Sequence, residues 1–270
     1  MPTAASGRRQ GRASTTGRRS ESYGAFAYAY DQALGEHFFS AARRLLDDVL
    51  YKYPARAKTH LDLACGTGYA IDYFEKRGFR SIGVDASLSM LGVARKRASR
   101  LIAADIRALP LRDTFSRITC LYDSLNHLQT RDDLVATFNG ARDAMDGESL
   151  FFFDVNHPDI YPAVWGMREP YISTGVDHHL EIATKYDRRE KRAYGVVSGW
   201  AMLRNGDRAT IHETHEQRAW SESEIKECLR AAHLEVVEVI DFDPFHEMET
   251  LEVGGVKLFF ICRGLTMVRL

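Results

Sequence analysis

Between residues 59 and 155 short apolar runs alternate with helical patterns, and this alternation constrains the fold more than any other feature of the chain. The strand-like runs fall at 59–63, 80–84, 101–104, 117–122 and 149–155, and the helical patterns at 68–77, 87–98 and 131–145. Strands separated by helices predict βαβ units and a parallel sheet. The run "SLFFFDV" (149–155) is apolar along its length, as a central strand covered on both faces requires.

The flanks read differently. Residues 36–53 ("EHFFSAARRLLDDVLYKY") space Phe38, Phe39, Leu45, Leu46, Val49 and Leu50 as an amphipathic helix, and Pro54 stands where it must stop. Roughly 157–220 carries no convincing helix. There "HHLEIATKYDR", "RAYGVVSGWAML" and "ATIHETHEQRAW" alternate as antiparallel strands, and "RNGDR" (204–208) holds an Asn-Gly hairpin signal. The α/β pattern resumes at Ser221, which has Glu224 three residues on, a capping-box spacing. Two strands follow, "EVVEVIDF" and "VKLFFICR". The expected domains are a core over 22–155 and 221–270, an antiparallel insertion over 156–220 that covers the acceptor site, and a basic tail over 1–21. The first twenty residues hold Arg8, Arg9, Arg12, Arg18 and Arg19, no acid and little apolar surface, so the tail is expected to be disordered. It has no apolar h-region, which excludes a secretory signal.

Composition excludes several function classes. A net charge of −1 gives the chain as a whole no polyanion-binding character. No apolar run approaches the roughly 18–20 residues of a membrane span. Cys65, Cys120, Cys228 and Cys262 lack C-x-x-C spacing, which argues against a disulfide framework or zinc site and suits a reducing cytoplasm.

The stretch "HLDLACGTGYAIDYF" (60–74) joins the first strand to a helix through small residues, Ala64, Gly66 and Gly68, that let a ligand approach the backbone. The helix N-terminus then favours negative groups. A dinucleotide site usually has a third glycine, and here Ile71 stands in its place. Asp62 lies four residues before Gly66, where a carboxylate repels a pyrophosphate and attracts an ammonium or sulfonium. This favours S-adenosylmethionine (SAM). Asp85, ending the second strand, is placed to accept the ribose hydroxyls, and Asp105, ending the third, to accept the adenine amino group.

Residues 22–155, and 221–262 more loosely, resemble the class I SAM-dependent methyltransferases. "LDLACGTG" is similar to their first motif, "GVDASLSML" to their second and "AADIRALPL" to their third. The resemblance implies a doubly wound, mostly parallel seven-stranded α/β sheet of the Rossmann-like kind, with an inserted antiparallel β-sheet. It also implies SAM as cofactor and S-adenosylhomocysteine as product. Asp62, Ala64, Gly66, Asp85 and Asp105 are carried over as cofactor residues, with Met90, Leu91 and Ile106 near the adenine. "FAYAYDQAL", "YDSLNHL" and "FFFDVNHP" are further similar to a subgroup that includes the sugar N,N-dimethyltransferases of macrolide biosynthesis. That likeness places Tyr23 near the sulfonium, His127 near the acceptor and Asp154 at the fifth strand end, and leaves Tyr28 and Tyr30 to packing.

Ligands of open α/β sheets bind beyond the carboxyl ends of strands. The fourth apolar run ends at Tyr122, so Tyr122 is expected at the cofactor and Asn126, His127, Asp154 and His157 at the acceptor. Tyr23 and His127 are the catalytic candidates, His127 as a base or as an orienting group. No metal is expected: His212 and His215 have no third ligand at a recognisable spacing, and i and i+3 on a strand face opposite sides. The reading is methyl transfer to an N or O nucleophile of a small-molecule acceptor, without membrane or nucleic-acid partners and with a homodimer left open. A nucleic-acid methyltransferase is the runner-up. It is disfavoured by a domain that is not basic and by the absence of N/D-P-P-Y/F at the fourth strand. A SAM-binding protein without turnover and a dehydrogenase are the remaining alternatives.

Overall fold

The structure, a computed structural model of the chain, describes residues 24–166, 169–243 and 253–265. The expected tail and the candidate Tyr23 lie outside the described residues. In chain order, α1 (Phe26–Tyr30) runs through a π-helical turn (Asp31–Gly35) into α2 (Glu36–Lys52). Then come β1 (Thr59–Leu63), α3 (Tyr69–Glu75), β2 (Arg80–Asp85), α4 (Leu88–Ala94), β3 (Leu101–Ala103), β4 (Arg117–Cys120), α5 (Arg131–Asp143) and β5 (Leu150–Asn156). A four-stranded insertion follows, β6 (Tyr171–Thr174), β7 (His178–Asp187), β8 (Arg192–Met202) and β9 (Arg208–Arg218). α6 (Glu222–Ala231), β10 (Leu234–Phe242) and β11 (Lys257–Gly264) close the chain.

The main sheet has the order β10-β11-β5-β4-β1-β2-β3. β1 to β5 pair in parallel, and β11 runs antiparallel to both β5 and β10. The seven-stranded, mostly parallel sheet expected from the sequence is therefore present, with the separate antiparallel sheet β6-β7-β8-β9 inserted between β5 and α6. The winding reverses between β1 and β4, which opens a crevice at their carboxyl ends.

Local chemistry sets the boundaries. Ser87 caps α4 by accepting from the Met90 N–H, so that helix starts at Leu88. Ser221 and Glu224 form the complete capping box of α6. The Asn-Gly hairpin joins β8 to β9 with Gly206 at φ 85°. β4 stops at Cys120 rather than 122, because Tyr122 and Asp123 take left-handed φ values of 61° and 49° and turn the chain out of the sheet. The edge strand β6 was not expected: its residues are mostly exposed, Tyr171 and Ile172 among them, so it lacks the buried alternation that marks a strand.

Apolar side chains fill both faces of the main sheet. Phe138, Phe151, Phe153, Trp220 and Leu229 lie on one face, and Phe39, Leu46, Phe74, Phe152 and Phe259 on the other. A third cluster ties the N-terminal segment to the insertion, with Phe26, Ala29 and Leu34 against Leu180, Val197, Ala201 and Ile211. Ala27 packs in turn with Met90 and Val93 of α4. The α1 segment thus bridges the insertion and the core beside the crevice. Among the described residues no helix is long and apolar enough to cross a membrane.

Candidate functional site

The crevice is built on the turn after β1. Ala64, Gly66 and Gly68 all take positive φ, at 53°, 52° and 86°. Gly66 points its N–H at Asp85 Oδ2 (2.8 Å), and the Ser87 N–H takes Oδ1 (2.8 Å). Each carboxylate oxygen keeps a further lone pair for a ligand hydroxyl. Burial raises the Asp85 pKa, opposed by those two N–H groups. A Cβ built on Gly66 meets nothing within 4 Å, so the turn borders open volume. A flat, hydroxyl-bearing nucleoside fits such a cradle.

Asp62 lies one strand over, buried between β2 and β4. Its Oδ1 accepts from the Thr119 hydroxyl at 2.6 Å. Burial pushes its pKa up to about 7, the Thr119 hydrogen bond works against that, and Asp85 adds to it. Behind Thr119 stands His60, fully buried, with Nε2 2.8 Å from the Thr119 hydroxyl and Nδ1 3.1 Å from that of Ser81.

The third acid is differently engaged. The Asp105 carboxylate sits in the fork of Arg107, with contacts of 3.0 Å from Nε and 2.6 Å from a terminal nitrogen. Those hydrogen bonds hold its pKa below the usual carboxylate range. Beside it Ile106 is buried in the main core, and Met90 packs under α1.

Beyond β4, Tyr122 and Asp123 hang from Asp154. Asp154 Oδ1 accepts from the Tyr122 N–H (2.6 Å), and Oδ2 from the Asp123 N–H (2.9 Å) and from Lys257 Nζ (2.9 Å). Lys257 also reaches Asp123 Oδ1 and Asn156 Oδ1, each at 3.0 Å. Burial would lower the Lys257 pKa, but Asp123 and Asp154 outweigh it and raise it. The Tyr122 ring stacks near Phe38, and its hydroxyl is buried without a hydrogen-bond partner among the described residues. A buried orphan hydroxyl at the mouth of a strand marks a place where a ligand atom fits.

Two residues expected at the acceptor belong to the framework by their contacts. Asn126 is fully buried, accepts from the Asn156 N–H (3.0 Å) and donates to the Arg218 carbonyl (2.8 Å), which joins β5 to β9. Asp154 has both oxygens occupied by the loop it supports. His157 stands at the edge, 3.6 Å from Asp159.

His127 does face the insertion. Its Nδ1 lies 3.0 Å from the Glu216 carbonyl of β9. A carbonyl only accepts, so Nδ1 carries the proton and Nε2 the lone pair. Burial lowers the His127 pKa, with Asp123 pulling it up and His215 pushing it down. The His215 ring, weighed in the sequence only as a metal ligand, lies 6.3 Å away, centre to centre.

The sequence missed the N-terminal anchor. Asp31 is buried and paired with Lys96 and with Arg97 (2.7 Å), and Arg97 also donates to the Thr67 carbonyl in the glycine turn. Tyr30, read as packing, feels this site: after burial, Asp123, Asp154, Asp31 and Asp85 push its pKa up. The acid in the aromatic-rich and small-residue stretch "AYAYDQAL" was the one available signal.

Comparison with known proteins agrees with this geometry. Residues 61–146, from β1 past α5, match the methyltransferase domain family. The Bacillus subtilis (strain 168) protein YqeM is 27% identical, covering 85% of this chain and 94% of its own. The dTDP-3-amino-3,4,6-trideoxy-alpha-D-glucopyranose N,N-dimethyltransferase of Streptomyces venezuelae is 33% identical over 38% of this chain and 44% of its own. The fold is shared with an S-adenosylmethionine-dependent methyltransferase from Clostridium acetobutylicum ATCC 824, at a TM-score of 0.72 and 21% identity over 89% of this chain and 98% of that one. A methyltransferase domain thus spans the glycine turn and its strand-end acids, and this domain, the relatives and the shared fold together support a SAM-dependent methyltransferase.

Proposed function

We propose that the protein methylates an amine nitrogen of a small molecule. What supports this reading is an acceptor for a cationic group on β1 (Asp62), an acceptor for hydroxyls at the end of β2 (Asp85) and an imidazole on the segment after β4 (His127), three neighbouring strands of the parallel sheet. A bound SAM supplies a sulfonium, which makes its methyl group electrophilic. Asp62 faces the cofactor's ammonium end, Asp85 holds the ribose hydroxyls, and Asp105 with Ile106 and Met90 borders the adenine. Tyr122 closes the methyl-transfer side, Tyr30 supports it, and Tyr23 stays a candidate for the sulfonium.

His127 orients the acceptor nitrogen and takes its proton. Alignment of donor and acceptor supplies about 7–11 kcal/mol of barrier reduction, more than any base here adds. Asn126, Asp154 and Lys257 position the loop that carries Tyr122 and His127, and His157 lies at the pocket rim.

The Streptomyces venezuelae relative is named for an amino-sugar N,N-dimethyl transfer, which favours nitrogen over oxygen. The near-neutral charge favours a small acceptor over nucleic acid, and four free, buried cysteines suit a reducing cytoplasm.

Titration calorimetry with SAM and S-adenosylhomocysteine tests the donor half. The wild type should bind both, and Asp85→Ala should lose most of that affinity. A panel of amino sugars and their hydroxyl counterparts, scored by mass for added methyl groups, tests the acceptor half. No binding of either donor ligand rejects the reading, and methylation of the hydroxyl compounds alone rejects nitrogen.

A further inference from the structure

We propose that His60 is a positioning residue for the donor site: through Thr119 it fixes the hydrogen-bond direction that presents Asp62 ionised to the cationic end of the cofactor. The proposal rests on the assignment of Asp62 above.

Four buried side chains stand in line across β2, β1 and β4: Ser81, His60, Thr119 and Asp62. Thr119 has one hydroxyl proton. If it is given to Asp62, the Thr119 oxygen must accept, so His60 carries its proton on Nε2 and its Nδ1 accepts from Ser81. The opposite run is the other consistent solution. There a protonated Asp62 donates to Thr119, Thr119 donates to Nε2, and Nδ1–H donates to Ser81. The two runs differ by one proton, which Asp62 exchanges with solvent.

The imidazole is held for this role. It stacks on Phe74 at 3.8 Å and 15°. Burial pushes its pKa down to about 3, so it changes tautomer without gaining charge. The titratable groups facing Asp62 are Asp85 on β2, Cys65 in the turn, Cys120 at the end of β4 and Tyr122 just past it. The acid disfavours its ionisation, so the donated hydrogen bond from Thr119 is what helps the charged form. An aliphatic residue at position 60 would satisfy the packing of β1; a fully buried imidazole there carries a desolvation cost that the packing does not explain.

Nitrogen-15 NMR of the histidine-labelled full chain tests the tautomer. S-adenosylhomocysteine should move His60 toward the Nε2–H form. Calorimetry tests the consequence. Wild-type affinity for S-adenosylhomocysteine should rise with pH through the neutral range. His60→Leu should weaken it about tenfold at neutral pH, the worth of one charge-assisted hydrogen bond, and shift the rise upward. Thr119→Val should do the same. His60→Gln, whose amide can donate to Thr119, should recover most of the loss. 5′-Methylthioadenosine, which lacks the amino-acid end, should bind all four proteins alike. His60 shifts that ignore the ligand, or wild-type pH profiles in His60→Leu and Thr119→Val, overturn the proposal. Loss of methylthioadenosine binding in the variants also overturns it, as general damage. If the wild type binds neither ligand, the donor assignment fails instead.

Discussion

Ile71 Cδ1 lies 2.4 Å from where a Cβ on Gly83 would stand. In a dinucleotide-binding turn a third glycine lets the helix approach the sheet. Here the helix carries the bulk and the neighbouring strand β2 supplies the missing Cβ, with Cys65 Sγ 2.8 Å from the same point. Gly83→Ala should therefore destabilise the protein by about 1–3 kcal/mol, the usual cost of overpacking a filled core. Thermal unfolding reads this directly. Trimming the partner in Gly83→Ala/Ile71→Val should return part of the loss, and additive losses would show that the two sites do not share this space.

Lys257 is the only cation hydrogen-bonded to Asp154 among the described residues, and it bridges Asp154 to Asp123. Lys257→Met leaves buried Asp154 and half-buried Asp123 near each other without that counter-ion. The expected cost is about 3–5 kcal/mol, as for other broken buried pairs. Urea unfolding at neutral pH should show it. Adding Asp123→Asn should recover part of it, since the loss lies in unpaired charge rather than in packing.

Periodicity and turn chemistry made most of the fold legible, because they act locally. β1 and β2 could be bounded from their apolar runs, and α6 from Ser221 and Glu224, because the capping box spans only four residues. The places of Asp62 near the end of β1 and Asp85 at the end of β2 were legible in the same way. What stayed hidden depends on partners far along the chain. Asn126 meets Arg218 and Asp154 meets Lys257, so both look like pocket residues until the fold supplies those contacts. Asp31 finds Lys96 and Arg97. His60 sits at an apolar position of a strand pattern, where nothing in sequence announces Ser81 and Thr119.

Asp62 gives a pH-dependent prediction. Its pKa is about 7 in the folded protein against an ordinary 3.8. Between those values the folded state holds more protons than the unfolded state, so this group lowers stability as pH rises from about 4 to about 7. Asp62→Asn removes that loss. Without cofactor, the variant should be more stable than the wild type at about pH 8, on the order of 1–4 kcal/mol, and the difference should close near pH 4. Saturating SAM should reverse the order, because the wild type gains binding energy that the variant lacks. Denaturation curves at both pH values, with and without SAM, measure all four states. A wild type as stable as Asp62→Asn at high pH would mean that Asp62 is not held protonated by burial.

His127 separates orientation from base catalysis. Its lowered pKa keeps the imidazole neutral to a more acidic pH than the ordinary value of 6.5. A base works unprotonated, so at saturating SAM kcat/KM for the acceptor should hold its plateau through neutral pH and fall only below the ordinary histidine range. His127→Asn keeps a donor for the Glu216 carbonyl but has no titrating nitrogen. If His127 removes the acceptor's proton, this variant should lose about 10²–10⁴ in kcat, and the acidic limb assigned to His127 should vanish. SAM affinity should change little, since the donor is held by Asp62 and Asp85. If kcat survives and only the acceptor KM rises, the nitrogen arrives already neutral. Alignment in the crevice then carries the reaction, and His127 serves as the hydrogen-bonding guide that its contact with β9 allows.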